Sequence, residues 1–310
     1  QTFSSSLPNA ASFRLGLSAT PEHYLDEEKN ENLFSYYGKV IAEYTLEQAI
    51  SDKVLTPYFY HVVPVSLTDD EAEKYAELSA QIAQCMSAKD KNKNAAYLSS
   101  LLSERSRLIG SAFNKKQALE NLLKSLTVNP FTLFYVGDGR VDDGTHDEEL
   151  DEELPRQIEV ITKIASQHGY TPARFTAREG KKERENIIRD FKDGSVNSLV
   201  AIKCLDEGID IPACRTAFIL ASSANPRQFI QRRGRILRKS KDKETATIFD
   251  FVVYVDLANN PNENATLSEE NLMVSELKRV AEFASLSVNF LEVYNTLRPI
   301  LAQYDLEGHL

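Results

Sequence analysis

From Phe131 to Val255 short apolar runs alternate with stretches of helical periodicity. The runs are Phe131 to Gly137 (FTLFYVG), Ala173 to Phe175, Ser198 to Ile202, Thr216 to Leu220 and Thr245 to Val255. Between them Leu154 to His168 and Lys181 to Phe191 read as helices, and an arginine-rich helix follows the fourth run. Parallel strands need long crossovers, and helices that supply them cover both faces of the sheet. The fold expectation is therefore α/β, in three layers, with a mostly parallel, doubly wound sheet. Sites in such sheets lie at the carboxyl ends of the strands.

The chain ahead of this series has a different texture. Ala11 to Pro21 (ASFRLGLSATP) reads as a short strand through Phe13, Leu15 and Leu17 that runs into a polar turn stopped by proline. Glu22 to Asn32 reads as a helix or a linker, and Thr45 caps a short helix that runs to Ser51. Tyr58 to Leu67 is an aromatic and β-branched strand in which Pro64 favours an edge position. Three helices follow: Thr68 to Cys85, with Thr68 and Glu71 spaced as a capping pair; Asn94 to Ser111; and Lys115 to Leu126, presenting Leu119, Leu122, Leu123 and Leu126 to a core. After the last strand, Asp256 to Thr266 is a polar linker, and Leu267 to Leu301 is a helical tail packed on the sheet or on a partner.

No run approaches the roughly 18 apolar residues of a membrane span, and no signal peptide opens the chain, so a soluble, intracellular (cytoplasmic) protein with no membrane partner is expected. The opening on Gln1 reads as the middle of a longer protein. Cys85, Cys204 and Cys214 show no metal-ligand spacing, and the five histidines form no HExxH-like pair, so no metal site is expected within the chain. A net charge of -10 argues against a polyanionic partner, but the charge is unevenly placed. Residues 142–153 hold eight acids, whereas Pro226 to Lys243 hold eight lysines and arginines against one aspartate. A local basic surface survives the acidic mean.

Its centre is Gln228 to Arg238 (QFIQRRGRILR), where four arginines and a glutamine fall within Gln231 to Arg238. On one helix, Gln231, Arg235 and Arg238 share a face. A guanidinium fork suits a phosphate better than an ammonium does. Taken with SATP (Ser18 to Pro21), FTLFYVGDG, FTAREGKKERENIIRDFKDG and VAIKCLDEGIDIP (Val200 to Pro212), the order of motifs resembles the superfamily 2 helicases and nucleic-acid translocases, in the DEAD/DEAH-like branch associated with DNA repair and restriction. The resemblance covers roughly Leu15 to Tyr254.

The resemblance implies two RecA-like domains with ATP and Mg2+ between them and a nucleic-acid strand, DNA by preference, lying across both. Residues 1–38 would then be the end of the first domain with its linker, residues 39–255 the second RecA-like domain, and residues 256–310 a helical tail. Ser18, Ala19 and Thr20 match the motif that couples the ATP site to domain closure. Arg235 and Arg238 match the arginines that reach the γ-phosphate and stabilise charge on the transferred phosphoryl group. Gln231 matches a hydrogen-bonding partner of the same phosphates, and Gly208 and Asp210 match the pair that approaches the ribose. Thr176 and Arg178 read as phosphate-backbone contacts or as plain loop residues, whereas Arg184 and Phe191 read as packing.

Two departures qualify the match. Where relatives place a hydroxyl six residues before Gly208, this chain has Ile202 followed by Lys203, which supplies a phosphate contact or is simply exposed. No GxxxxGK[ST] loop and no DExx box are present, so the magnesium ligands are expected outside the chain, on the N-terminal RecA-like domain. The chain alone is expected to hydrolyse ATP poorly. The competing reading is a non-catalytic RecA-like module that binds nucleic acid or regulates.

Overall fold

In the computed structural model the described residues are 10–18, 20–21, 27–87, 95–141, 155–202, 214–221, 226–259 and 266–309. Among them are strands β1 (Tyr58–Ser66), β2 (Thr132–Val136), β3 (Pro172–Phe175), β4 (Ser198–Ile202), β5 (Thr216–Ile219) and β6 (Ala246–Tyr254). The helices are α1 (Glu27–Tyr37), α2 (Leu46–Ser51), α3 (Asp69–Ser87), α4 (Ala95–Gly110), α5 (Asn114–Ser125), α6 (Gln157–Gln167), α7 (Lys181–Asp193), α8 (Pro226–Ile236), α9 (Leu267–Ala284) and α10 (Phe290–Leu301). The strands form one sheet in the order β1-β6-β5-β2-β4-β3, and every pairing is parallel. The expected α/β, three-layer architecture is what the sequence builds.

Alternation along each strand sends neighbouring side chains to opposite faces. Leu133 and Tyr135 of β2, Leu199 and Ala201 of β4, and Ala217 and Ile219 of β5 face one apolar cluster, which Phe191 of α7, Phe229 of α8, Leu277 and Phe283 of α9 and Leu297 of α10 complete. Phe134, Val136, Val200 and Phe218 face the other, closed by Leu119 and Leu123 of α5 and by Ile158, Ile161 and Ile164 of α6. On that second face the register lines up a ladder across four strands: Phe134 on Phe218 (ring centroids 4.9 Å apart), Phe218 on Phe249 (5.0 Å) and His61 on Phe249 (5.0 Å). Each such pair contributes about 0.5–1.5 kcal/mol beyond its buried area, so the ladder helps hold the strand register.

The tail packs on the sheet as two helices, α9 and α10. The break has a cause at the sheet edge, where β1, carrying Pro64, has a neighbour strand on one side only. Asn289 accepts from the Tyr60 backbone N–H (2.8 Å) and donates to the Tyr60 carbonyl (3.0 Å), and the Val288 N–H donates to the Tyr58 carbonyl (2.9 Å). Those contacts satisfy backbone groups of an edge strand and end α9 ahead of them. A buried ionic group lies beneath α9. Arg279 donates to Asp250 (2.9 and 3.3 Å) and to Glu276 (2.6 and 2.7 Å), and the Tyr60 hydroxyl donates to Asp250 (2.8 Å). Burial pushes the Glu276 carboxyl up, but the Arg279 guanidinium and the Val253 N–H outweigh it and hold the carboxyl below its ordinary value.

The strand expected at Ala11 to Pro21 does not form. Phe13, Leu15 and Leu17 are 96%, 73% and 88% exposed in irregular backbone. A strand needs a neighbour to take up its backbone groups, and among the described residues none pairs with this segment. Arg14 instead lies over the Tyr36 ring (4.1 Å) and donates to the Tyr36 carbonyl (3.1 Å). The capping pairs at Thr45/Gln48, Thr68/Glu71 and Thr266/Glu269 all form, so α2, α3 and α9 start where local chemistry places them.

Candidate functional site

The arginine-rich helix α8 follows β5 and packs on the face of Tyr135 and Phe283. The four arginines of Gln231 to Arg238 divide into two pairs. Arg232 is buried with its guanidinium over the Tyr135 ring (4.0 Å to the centroid). Arg233 is buried as well: its Nη2 meets Glu282 Oε1 at 2.6 Å, its Nη1 donates to the Glu282 carbonyl, and its guanidinium lies over the Phe283 ring (5.3 Å). These two residues anchor α8 to β2 and α9. Arg235 is half-buried, with Gln231 one turn before it, and Arg238 is exposed.

Arg238 does not share the helix with Gln231 and Arg235 as the spacing suggested. The helix ends at Ile236, and Arg238 pairs with Leu55 as an isolated antiparallel bridge. The reason lies in the last carbonyls, which an α-helix leaves without intrahelical donors. Thr56 donates to the Leu237 carbonyl from its N–H (2.9 Å) and from its hydroxyl (2.8 Å). Lys243 donates from Nζ to the carbonyls of Ile236 and Arg238, the latter at 2.9 Å. With those acceptors taken from outside, the helix stops and Arg238 is turned onto a bridge.

At the carboxyl end of β2 the loop Gly137 to Gly139 is clasped by α6 and the end of α4. The buried amide of Gln157 accepts from the Gly137 N–H (2.7 Å) and donates to the Gly110 carbonyl at the end of α4 (2.8 Å). A Cβ on Gly139 would lie 2.6 Å from Ser111 Oγ, so only glycine permits this approach. Beside the loop is a groove of about 590 Å³ lined by Lys74, Arg107, Arg140 and Arg156 together with Glu104, Asp138 and Ser111. Behind it the buried ammonium of Lys115 donates to the carbonyls of Leu220 (2.5 Å) and Ile109 (2.7 Å), and burial pushes it down to about 8.

The remaining expected residues fall in different places. Thr176 and Arg178 share a turn after β3, at the sheet edge opposite β1. The Thr176 hydroxyl donates to Glu179 (2.8 Å) and accepts from the Arg178 N–H (3.1 Å), while Arg178 is exposed. Ser18 accepts from the Thr20 N–H (3.1 Å). Phe191 is buried and packs edge-on against Phe131, as expected of a packing residue. Ala19, Lys203, Gly208 and Asp210, and the acidic run from Asp142 to Glu153, lie outside the described residues. Sequence reasoning missed Thr56 and Gln157, because each acts on a backbone group that only the fold brings to it, and Lys243, whose turn folds it back onto the helix end. Among the described residues no group of three or more His, Cys, Asp or Glu side chains gathers to hold a metal. No described helix is long and apolar enough to cross a membrane.

Residues 148–240, from the approach to α6 through the clamped end of α8, match the family model of the helicase conserved C-terminal domain. That stretch is a helicase C-terminal RecA-like domain of the superfamily 2 type. It is similar to the DNA 3'-5' translocase XPB2 of Sulfurisphaera tokodaii, 32% identical over 249 residues that cover 77% of this chain and 52% of the relative. It is also similar to putative helicase 22 of a Sulfolobus islandicus filamentous virus, 25% identical over 255 residues, covering 81% of this chain and 40% of the relative. The chain spans about half the length, or less, of these curated relatives. Among solved structures, the C-terminal part of the Fun30 ATPase domain aligns with a TM-score of 0.43 at 14% identity, over 74% of this chain and 99% of that one.

Proposed function

We propose that this chain is the C-terminal half of an ATP-dependent DNA helicase or translocase, supplying arginine fingers and part of the nucleic-acid track. The observation that carries the reading is the division of the four arginines of Gln231 to Arg238. Arg232 and Arg233 anchor α8, whereas Arg235 is half-buried near the end of the helix and Arg238 is exposed just past it. A half-buried or exposed guanidinium can meet an incoming triphosphate, whereas one buried over an aromatic ring cannot. Arg235 and Arg238 would stabilise negative charge on the transferred phosphoryl group, and Gln231 would hydrogen-bond the same phosphates. Ser18, Ala19 and Thr20 would couple that site to domain closure, and Gly208 and Asp210 would line the ribose side. Thr176, Arg178 and Lys203 are the proposed contacts to the nucleic-acid backbone.

The described residues do not fit a magnesium centre. Its carboxylate ligands and the phosphate loop are proposed to belong to an N-terminal RecA-like domain, the partner with which this half would close on ATP. The test is turnover. In the complete protein Arg235→Ala or Arg238→Ala lowers DNA-stimulated ATP hydrolysis by about 10³-fold while DNA affinity changes far less. The 310-residue chain alone hydrolyses ATP poorly. Vigorous hydrolysis by that chain, or equal losses of turnover and DNA affinity in the variants, overturns the reading. Unchanged turnover in both variants favours a non-catalytic binding module.

A further inference from the structure

Three consecutive carbonyls at the end of α8, those of Ile236, Leu237 and Arg238, are all taken by donors, one from far along the chain and one from the turn that follows. One is Thr56, 181 residues earlier in the chain and 1% exposed, which spends both its N–H and its hydroxyl on Leu237. The other is Lys243, 6% exposed, brought back under the helix end by a turn in which Asp242 adopts φ +59° and the Lys243 N–H donates to the Ser240 carbonyl (3.2 Å).

A cation near a helix C-terminus is favoured by the aligned peptide dipoles, and an exposed lysine supplies it without leaving water. Lys243 is buried instead, at the expense of its hydration. Burial pushes its ammonium down to about 8, consistent with that cost. What burial obtains is position. The carbonyl of Arg238 is held by Lys243 at 2.9 Å, its N–H approaches the Arg235 carbonyl at 3.4 Å, and its backbone bridges to Leu55. The backbone of Arg238 is therefore fixed from outside its own helix, and this sets the point from which its side chain extends.

We propose that Lys243 and Thr56 are positioning residues for Arg238: they clamp the terminal carbonyls of α8 so that the Arg238 guanidinium is presented to the transferred phosphoryl group. The inference rests on the reading of Arg238 as an arginine finger. It adds two residues from outside the arginine-rich motif to the machinery of turnover. A misplacement of about 1 Å in a group that contacts the transition state costs on the order of 10²-fold in rate, which is why backbone clamps matter to it.

The experiment is a double-mutant cycle in the complete ATPase, with kcat, the KM for ATP and the affinity for a DNA oligonucleotide measured for each member. Lys243→Met lowers kcat by about tenfold or more and leaves the KM and the DNA affinity within about twofold. In an Arg238→Ala background the same substitution changes kcat by less than about twofold, because the group it positions is gone. Thr56→Val, which deletes only the hydroxyl, gives a smaller loss of kcat that Thr56→Ser restores, and this pair decides the matter if Lys243→Met does not fold. An unchanged kcat in Lys243→Met, or an equal further loss in the Arg238→Ala background, overturns the proposal. If Arg238→Ala alone leaves turnover intact, the finger reading itself falls and takes this inference with it.

Discussion

Arg233 and Glu282 meet at 2.6 Å, with the guanidinium almost fully buried and its carboxylate partner half exposed, so the end of the arginine-rich helix is tied to the first helix of the tail. Removing the guanidinium also loses the bond to the Glu282 carbonyl and the contact over Phe283. Arg233→Ala is expected to lower stability by about 1–3 kcal/mol, read as a shift of the urea midpoint with the slope unchanged. Arg238→Ala, at an exposed position, should stay within about 0.5 kcal/mol of the parent. Equal destabilisation by the two variants would contradict the division into anchoring and outward arginines.

The ionic group under α9 is satisfied as a set. Asp250 accepts from Arg279 and from the Tyr60 hydroxyl, and Glu276 accepts from Arg279 and from the Val253 N–H. Asp250→Asn removes a buried charge from this set while keeping its shape, and should cost about 3–5 kcal/mol in chemical denaturation. A loss below about 1 kcal/mol would mean that water reaches the group.

Two buried lysines make stability depend on pH in a stated direction. Burial lowers Lys115 and Lys243 from 10.5 to about 8 in the fold, so between those values the unfolded chain binds more protons than the folded one. Stability contributed by each is present above the unfolded value and is lost as the pH falls through about 8. The expectation is a midpoint that rises from pH 8 toward 10, by on the order of 2 kcal/mol per lysine. Above pH 10 the buried tyrosines Tyr60 and Tyr304, held above their ordinary range by burial, act in the opposite sense. Lys115→Met should flatten the rise, and a profile with the same slope as the parent would rule Lys115 out as its source.

The clasp at the end of β2 is tested by crowding it. Gly139→Ala would place a Cβ 2.6 Å from Ser111 Oγ and 2.7 Å from Ser111 Cβ. It should cost about 1–3 kcal/mol, and Ser111→Gly should recover most of that loss in the same chain. Failure of the second substitution to rescue the first would show that the loop shifts away rather than clashing.

Most of the fold was legible because its signals are local. The strand runs of residues 131–255 are short and apolar, Pro64 marks the edge strand, and the pairs Thr45/Gln48 and Thr68/Glu71 start helices within four residues of themselves. The motif that carries the candidate site was equally legible, since Gln231, Arg235 and Arg238 sit in one short stretch. What could not be read was where that stretch stops being helical. The carbonyls that end it are taken by Thr56 and by Lys243, and the break in the tail is set by Asn289 reaching Tyr60 across 229 residues. The exposed Phe13, Leu15 and Leu17 show the converse, a strand-like pattern that forms no strand because no neighbour pairs with it among the described residues.

By itself, then, the sequence determined a mostly parallel α/β layering and the placement of an arginine-rich element after β5, because periodicity and capping act between residues a few positions apart. Only the tertiary structure decided which arginines anchor and which face outward. That choice depends on Tyr135, Glu282 and Thr56, which reach α8 through the packed fold and not along the chain, and on Lys243, which the turn at Asp242 folds back onto the helix end.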